Sequence, residues 1–341
     1  MSRLRIAVGQ FNFSVGAIEE NAEKMMAARR LAEQKQADIV VFPELALSGY
    51  PPEDLLLRAD FQQRIQTACA TICQQPSPVP ILFGYPDSTE TGLYNAMALI
   101  DQQHIVANYH KRCLPNYGLF DEQRYFSQGT TAGLIHLKGL TIGLLICEDL
   151  WREEPILSLK NAGTQLVICI NASPFDRQKA PRRLLAVQTA VRMLGCPILY
   201  VHGVGGQDDF VFDGGSFAVS ATGEISAHAD FFAEQLWFID LKPTRSISTT
   251  STTNAIYAWD LSHQDSHLSQ HFPSNQADEA QLYQALVFAI RDYVTKNDFP
   301  GVLLGLSGGI DSALVLAIAI DLRCGPGPYS LFTLSLYFRT E

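Results

Sequence analysis

The run Leu140-Thr141-Ile142-Gly143-Leu144-Leu145-Ile146-Cys147-Glu148-Asp149 decides the fold class. A mostly aliphatic stretch stops abruptly at a thiol and two carboxylates. Short apolar runs of this kind mark strands covered on both faces. Residues 37–42 repeat the arrangement and stop at Pro43-Glu44, and residues 165–170 stop at Asn171-Ala172-Ser173. Around them, stretches at 19–35, 59–75, 153–162 and 182–194 read as helices. Pro155 falls in the first turn of the third, where a helix tolerates it. Further strands are expected at 4–8, 80–84, 94–100, 104–109, 198–202, 210–219 and 235–240, with Asp101-Gln102 as a hairpin turn. The order is β-α-β early and β-rich late, which predicts a layered α/β sandwich.

The chain has 341 residues, room for one large domain and part of another. Hydrophobic residues make up 47% and charged residues 18%, as in an ordinary globular enzyme. A net charge of −10 argues against a general nucleic-acid surface, which needs clustered Lys and Arg. No apolar stretch approaches the roughly 20 residues of a membrane span, and residues 1–16 lack the apolar run of a secretory signal. The seven cysteines are Cys69, Cys73, Cys113, Cys147, Cys169, Cys196 and Cys324. They form no Cys-x2-Cys pair and no metal-type cluster, so no tightly bound metal is expected, and a reducing cytoplasm fits best.

Glu44, Lys111 and Cys147 each follow an apolar strand, where parallel α/β sheets place their chemistry. An acid, an amine and a thiol suit nucleophilic acyl transfer. The carboxylate accepts the thiol proton, and the ammonium stabilises the oxyanion together with the backbone N–H after the nucleophile. Taken singly, Cys147 reads more readily as a core residue, and Glu44 reads also as a turn cap and Lys111 as a surface charge.

Farther along, residues 246–254 are almost all Ser and Thr, and 246–277 reads as a linker. Residues 278–297 form an amphipathic helix carrying Leu282, Leu286, Phe288, Ile290 and Tyr293. A strand at 301–306 then delivers Gly305-Leu306-Ser307-Gly308-Gly309-Ile310-Asp311-Ser312 to a helix at 310–322. Small residues before a helix start let backbone N–H groups approach an anion. No Lys follows the glycines, so this is not the P-loop of nucleotide triphosphatases.

Several segments carry a family resemblance. The loop resembles the Ser-Gly-Gly-x-Asp-Ser loop of ATP pyrophosphatases, which cleave ATP to AMP and pyrophosphate. Val41-Phe42-Pro43-Glu44-Leu45-Ala46-Leu47-Ser48-Gly49-Tyr50 resembles the general-base segment of the nitrilase superfamily. Tyr109-His110-Lys111-Arg112-Cys113-Leu114-Pro115 resembles its Lys segment, and Ile146-Cys147-Glu148-Asp149-Leu150-Trp151 its nucleophile segment, in the same chain order. Together with the downstream loop, the combination resembles the glutamine-dependent NAD synthetases, in which a nitrilase-type glutaminase is fused to an ATP-using amidotransferase.

The resemblance implies a nitrilase-type α-β-β-α sandwich over residues 1–245, followed after the linker by the start of a Rossmann-like domain at 278–341. It implies that Cys147 attacks the side-chain amide of L-glutamine, that Glu44 moves the protons, and that Lys111 and the Glu148 N–H hold the oxyanion. Tyr117, Ser173 and Lys179 match the family's contacts to the amino acid. Glu122 matches a second acidic residue, which either orders Lys111 or pairs with Arg124. Ser307, Gly308, Gly309 and Ser312 match the ATP phosphate loop, and Asp311 either approaches magnesium or caps the helix. ATP and deamido-NAD are the implied further substrates, magnesium the implied ion, and a homo-oligomer the implied assembly.

The resemblance fails after Asp321, where Arg323-Cys324-Gly325-Pro326-Gly327-Pro328 and residues 329–341 match nothing in the family. Its second domain needs on the order of 200 residues. A truncation or shifted frame is therefore expected, leaving at most the glutaminase half active. The alternatives are a free-standing amidase acting on another small amide, which has no need of the glycine loop, and a non-catalytic scaffold.

Overall fold

The computed structural model describes residues 3–244, 258–263, 272, 278–322 and 333–338. The first sheet is built from β1 (Leu4–Gln10), β2 (Ile39–Val41), β3 (Ile81–Thr89), β4 (Gly92–Asp101) and β5 (His104–His110). Helices α1 (Ile18–Gln34) and α2 (Ala59–Gln74) lie on its outer face. The second sheet begins with β6 (Gly133–Leu137) and β7 (Leu140–Ile146), crosses through α3 (Glu153–Asn161) to β8 (Leu166–Asn171), and through α4 (Lys179–Leu194) to β9 (Ile198–His202). A hairpin of β10 (Val204–Gln207) and β11 (Phe210–Asp213) stands apart from both sheets. Strands β12 (Phe217–Val219) and β13 (Ile225–His228) complete the second sheet. Strands β14 (Gln235–Thr244) and β15 (Ala258–His263) return to the first.

The two sheets run in the orders β15-β14-β1-β2-β3-β4-β5 and β13-β12-β9-β8-β7-β6. The pleat sends alternate side chains to opposite faces. Leu4, Ile6 and Val8 of β1 and Ile142, Leu144 and Ile146 of β7 therefore meet between the sheets. Ala7 and Val40 face α1 and α2, while Leu145, Val167 and Cys169 face α3 and α4. Both faces of the central strands are covered, which is why they are apolar without a break. The result is the expected four-layer α-β-β-α sandwich.

A second unit comes after it: α5 (Glu279–Lys296), β16 (Gly301–Leu306), α6 (Ile310–Asp321) and β17 (Thr333–Phe338), with β16 and β17 paired in parallel. Val287, Ile318 and Leu322 form its small core. Asp278 caps α5 by accepting the Gln281 N–H at 2.9 Å.

Four sequence expectations change. The strand expected over 210–219 breaks into β11 and β12, because Gly214 and Gly215 adopt φ of 66° and 65°, a left-handed conformation no strand contains. The hairpin turn falls on Gln102-Gln103, with φ of 45° and 68°, one residue later than expected. Strands β6, β10, β13 and β17 were not anticipated. Strand β15 lies inside the stretch expected to be a linker, and it pairs antiparallel with β14. The rest of 246–277 apart from residue 272, and of the tail from 323 apart from β17, lies outside the described residues. Among the described residues no helix is long and apolar enough to cross a membrane.

Candidate active site

The carboxyl ends of β2, β5, β7 and β8 converge on one buried group. Glu44 follows β2, and three donors hold its carboxylate. Asn95 Nδ2 and Lys111 Nζ donate to Oε1 at 2.8 and 2.7 Å, and the Ala172 N–H donates to Oε2 at 2.9 Å. Oε2 keeps a lone pair for a further proton. Gly84 lets the Glu44 turn approach β3: a Cβ there would lie on Leu45 N and 2.7 Å from Glu44 Cα.

Lys111 follows β5 and is 1% exposed, so it is no surface charge. Its Nζ donates to Glu44 and, at 2.9 Å, to Glu122 Oε1. Glu122 Oε2 also lies 2.8 Å from Nζ, but outside hydrogen-bond alignment. Glu122 thus orders Lys111. Arg124 pairs instead with Asp54 at 3.2 Å. Tyr50 donates its hydroxyl to Glu122 Oε1 at 3.2 Å. Burial alone would strip the Lys111 proton, but Glu122 and Glu44 outweigh it and hold the ammonium well above its usual range. Burial raises Glu122 to about 7, against the pull of Lys111 and with the push of Glu44.

Cys147 follows β7 and opens a short 3₁₀ turn, Cys147–Trp151. Its φ of 46° is left-handed, a strained conformation for a residue with a side chain. Burial pushes its thiol well above the usual range; Glu44 adds to this and Lys111 opposes it. Attack by this sulfur calls for a base to take the thiol proton. The Glu148 N–H sits in the first turn, where helical N–H groups have no intrahelical partner. The Glu148 side chain accepts the Tyr117 hydroxyl at 2.8 Å and the Arg152 guanidinium at 2.7 and 3.0 Å. Burial, and then the bond to Glu148, raise the Tyr117 hydroxyl to about 12.

Asp149 joins the Lys and Cys segments, a role the sequence did not disclose. Oδ1 accepts the N–H groups of Arg112 and Cys113 at 3.0 and 2.8 Å, while Oδ2 accepts the Ile146 N–H and the Tyr109 hydroxyl at 3.0 and 2.8 Å. The residues flanking Lys111 and Cys147 are thereby tied to one carboxylate.

Ser173 is buried next to Ala172, which holds Glu44. The Ser173 N–H donates to His202 Nε2 at 3.0 Å, and His202 Nδ1 faces Gly214 O at 2.9 Å. Nδ1 hydrogen-bonds only a carbonyl and so carries a proton, while Nε2 lies between the Ser173 N–H and, at 2.9 Å, Ser173 O. Burial, with Arg183 adding, holds His202 well below its usual range and so favours the neutral ring. Arg183 donates to Ser173 O at 2.6 Å and is itself held by Asp213 at 2.7 and 2.9 Å. Lys179, at the start of α4, places its ammonium over the Trp151 ring, 5.7 Å from the centroid. A cavity of about 240 Å³ opens beside Tyr50, Leu45, Phe120 and Glu122.

The glycine loop lies in the second unit, and among the described residues no hydrogen bond joins it to this site. Gly308 has φ of 85°; the Ser307 and Ser312 hydroxyls are 3.1 Å apart, and Ser312 donates to Gly309 O at 2.9 Å. Gly309 is the N-cap of α6 and supplies no side-chain cap, and Asp311 stands in the first turn rather than at the cap. Open N–H groups at the start of a twelve-residue helix suit a phosphate. Among the described residues no group of three or more His, Cys, Asp or Glu is placed to hold a metal ion.

Comparison with known proteins respects this division. A sequence profile of NAD synthase matches residues 282–334, so the likeness continues past Asp321, where the motifs alone lost it. The glutamine-dependent NAD(+) synthetase of Xanthomonas campestris pv. campestris (strain 8004) is 40% identical over 323 residues, covering 93% of this chain and 55% of that protein. The structure of the glutamine-dependent NAD+ synthetase from Acinetobacter baumannii in complex with ADP is 35% identical. It superposes with a TM-score of 0.85, covering 99% of this chain and 59% of that one. An amidase of the nitrilase superfamily from Nesterenkonia AN1, 21% identical, shares the fold with a TM-score of 0.62 over 70% of this chain and 90% of its own. The chain spans little more than half the length of the curated relatives it matches, 55% in the case of the Xanthomonas protein. A profile of carbon-nitrogen hydrolases matches residues 5–250, the four-layer sandwich up to its edge strand β15 and including its buried Glu-Lys-Cys group, and the chain belongs to that family.

Proposed function

We propose that the sandwich is a glutaminase that releases ammonia for the ATP-dependent amidation of deamido-NAD to NAD. The observation that carries the first half is the buried Glu44–Lys111–Glu122 cluster within electrostatic reach of the Cys147 sulfur.

As the Cys147 sulfur attacks the side-chain carbonyl carbon of glutamine, Glu44 takes the thiol proton. The carbonyl oxygen becomes an oxyanion that accepts hydrogen bonds from the remaining Lys111 N–H and from the Glu148 N–H. Glu44 then gives its proton to the amide nitrogen, the C–N bond breaks, and ammonia leaves a thioester on Cys147. Glu44 next takes a proton from water as its oxygen attacks the thioester. The C–S bond breaks, the sulfur recovers its proton from Glu44, and glutamate departs. While Glu44 carries the proton, Glu122 and the forming oxyanion still face Lys111 and favour its charged form. Ser173 and Tyr117 position the amino-acid end of glutamine, and Lys179 offsets its α-carboxylate.

Ser307, Gly308, Gly309 and Ser312 would hold the ATP phosphates through backbone N–H groups and hydroxyls. ATP bound there supplies activation of the deamido-NAD carboxylate toward ammonia. Asp311 would be the chain's contribution toward magnesium, a hard cation that would neutralise the polyphosphate. Copies of the chain associate, as in the family, and work in a reducing cytoplasm. The free thiols of the six described cysteines support that compartment.

Purified chain given glutamine should release glutamate and ammonia in equal amounts, and Cys147→Ala should release neither. A screen in which another amide turns over and glutamine does not would replace glutamine as the substrate. AMP formation from ATP, deamido-NAD, magnesium and ammonia tests the second half separately, and its absence confines the activity of this chain to the glutaminase. Sedimentation velocity reads the association, which a monomer at all concentrations would refute.

A further inference from the structure

The β10–β11 hairpin is held from two sides. On one side lies α5 of the second unit. Asp292 Oδ2 accepts the Gly206 N–H and Asn12 Nδ2, both at 2.6 Å, and lies 3.2 Å from Lys296 Nζ. Lys296 in turn donates to Gly206 O at 2.8 Å. Two side chains one helical turn apart on α5 thus grip both backbone groups of a single hairpin residue. The helix comes this close because residue 206 has no side chain: a Cβ there would lie 3.0 Å from Asp292 Cβ and 3.3 Å from Ala289 Cα. Asp292 is 9% exposed, and a carboxylate that buried is tolerated only when its donors are in place.

The other side of the hairpin meets the 173–175 segment, Arg183 and Tyr50. Val211 O accepts the Phe175 N–H at 2.7 Å. Asp213 holds Arg183, which donates to the carbonyls of Ser173 and Pro174 at 2.6 and 3.2 Å. The Phe212 ring meets Tyr50 edge-on, with centroids 5.7 Å apart, and Tyr50 donates to Glu122. A second, aromatic route runs in parallel: Phe288 of α5 packs on Phe232 at 5.8 Å, and Phe232 on Phe175 at 5.7 Å. Both routes end on Ser173-Pro174-Phe175.

We propose that Asp292 is a positioning residue of the glutaminase pocket. By clamping Gly206 it fixes the hairpin that seats Ser173-Pro174-Phe175, so α5 of the second unit sets how tightly the pocket grips the amino-acid end of its substrate. The inference rests on the glutamine reading of the pocket. It separates from a purely structural staple because Glu44, Lys111 and Cys147 follow β2, β5 and β7 and reach the hairpin indirectly, through the Phe212–Tyr50 ring contact and through Ala172 next to Ser173. Loosening the hairpin should blunt recognition of the amino-acid end while leaving the reacting groups where they are.

The test uses the full chain. For Asp292→Ala, the glutamine KM should rise on the order of tenfold, a size common for coupling between distinct sites. Its kcat should stay within about twofold of wild type, the split expected when ground-state and transition-state binding fall together. Alkylation of Cys147 by iodoacetamide, a small amide with no amino-acid end, should proceed at the wild-type rate. Asp292→Asn keeps an acceptor for Gly206 and Asn12 and should restore most of the affinity. Phe288→Ala, which cuts the aromatic route, should raise KM in the same direction and serves in place of Asp292→Ala if that variant fails to fold. An unchanged KM overturns the proposal, and so does a parallel loss of glutamine turnover and iodoacetamide labelling. A wild type that hydrolyses no glutamine sinks the glutaminase reading and this inference with it. A wild type that does, beside an unaltered Asp292→Ala, sinks the inference alone.

Discussion

Replacing Asp149 by Asn changes one oxygen to an NH2 group, and the hydrogen bonds around it set the cost. The native carboxylate accepts four donors: the N–H groups of Arg112, Cys113 and Ile146, and the Tyr109 hydroxyl. An amide has only one acceptor oxygen. Facing that oxygen toward Arg112 and Cys113 turns the NH2 toward Tyr109, whose hydroxyl can rotate to accept, and toward the Ile146 N–H, which cannot. The opposite flip strands two N–H groups, so the first is preferred. One buried N–H is then orphaned, at a cost of about 1–3 kcal/mol. With a loss near 2 kcal/mol, Tm should fall by about 4–8 °C, given roughly 2–4 °C per kcal/mol for a domain of this size. The stranded group directly precedes Cys147, so alkylation at Cys147 should slow while the far-UV circular dichroism stays native. Asp149→Ala strands three buried N–H groups and should cost about three times as much. Urea unfolding checks both. A stability for Asp149→Asn within about 0.5 kcal/mol of wild type, the range of an ordinary surface change, would refute the claim that this carboxylate ties the Lys and Cys segments together.

Two further outcomes rest on the same geometry. Glu122 is raised from 4.5 to about 7 in the folded chain, so the native state keeps a proton that the unfolded chain releases. The contribution of Glu122 is full below pH 4.5 and is lost as pH rises through about 7. The stability of wild type minus that of Glu122→Gln should therefore decline across that window, and a flat difference would contradict the burial argument. Gly84→Ala places a methyl on Leu45 N and 2.7 Å from Glu44 Cα, both backbone atoms that cannot swing away. It should displace the Glu44 turn and reduce glutamine hydrolysis on the order of a hundredfold, the scale of a misplaced catalytic group; near-normal turnover would show that the turn has room to move.

The layers were legible because burial on both faces demands unbroken apolar strands. Those strands end where the chemistry sits, so Glu44 and Cys147 stood out. Lys111 was ambiguous by itself: an amine beside Arg112 reads as a surface charge until Glu44 and Glu122, 67 and 11 residues away, are seen to bury it. Asn95 and the Arg183–Asp213 pair left no local signal either, because each works through a partner distant in sequence. Asp149 did carry a trace, two residues beyond the nucleophile, but an acid in a helical first turn normally reads as a dipole partner. The division of the last strands was written in Gly214-Gly215, which periodicity alone passes over. Strand β15 was hidden by the Ser- and Thr-rich run ahead of it.

The central claim is that the sulfur of Cys147 is the atom that bonds to glutamine. Treating the chain with a glutamine-like diazoketone and mapping the adduct by peptide mass spectrometry measures this. The account predicts one thioether per chain at Cys147, formed with loss of dinitrogen, suppressed by excess glutamine and greatly slowed in Glu44→Gln. Labelling at another cysteine, or labelling that glutamine does not suppress, would contradict it.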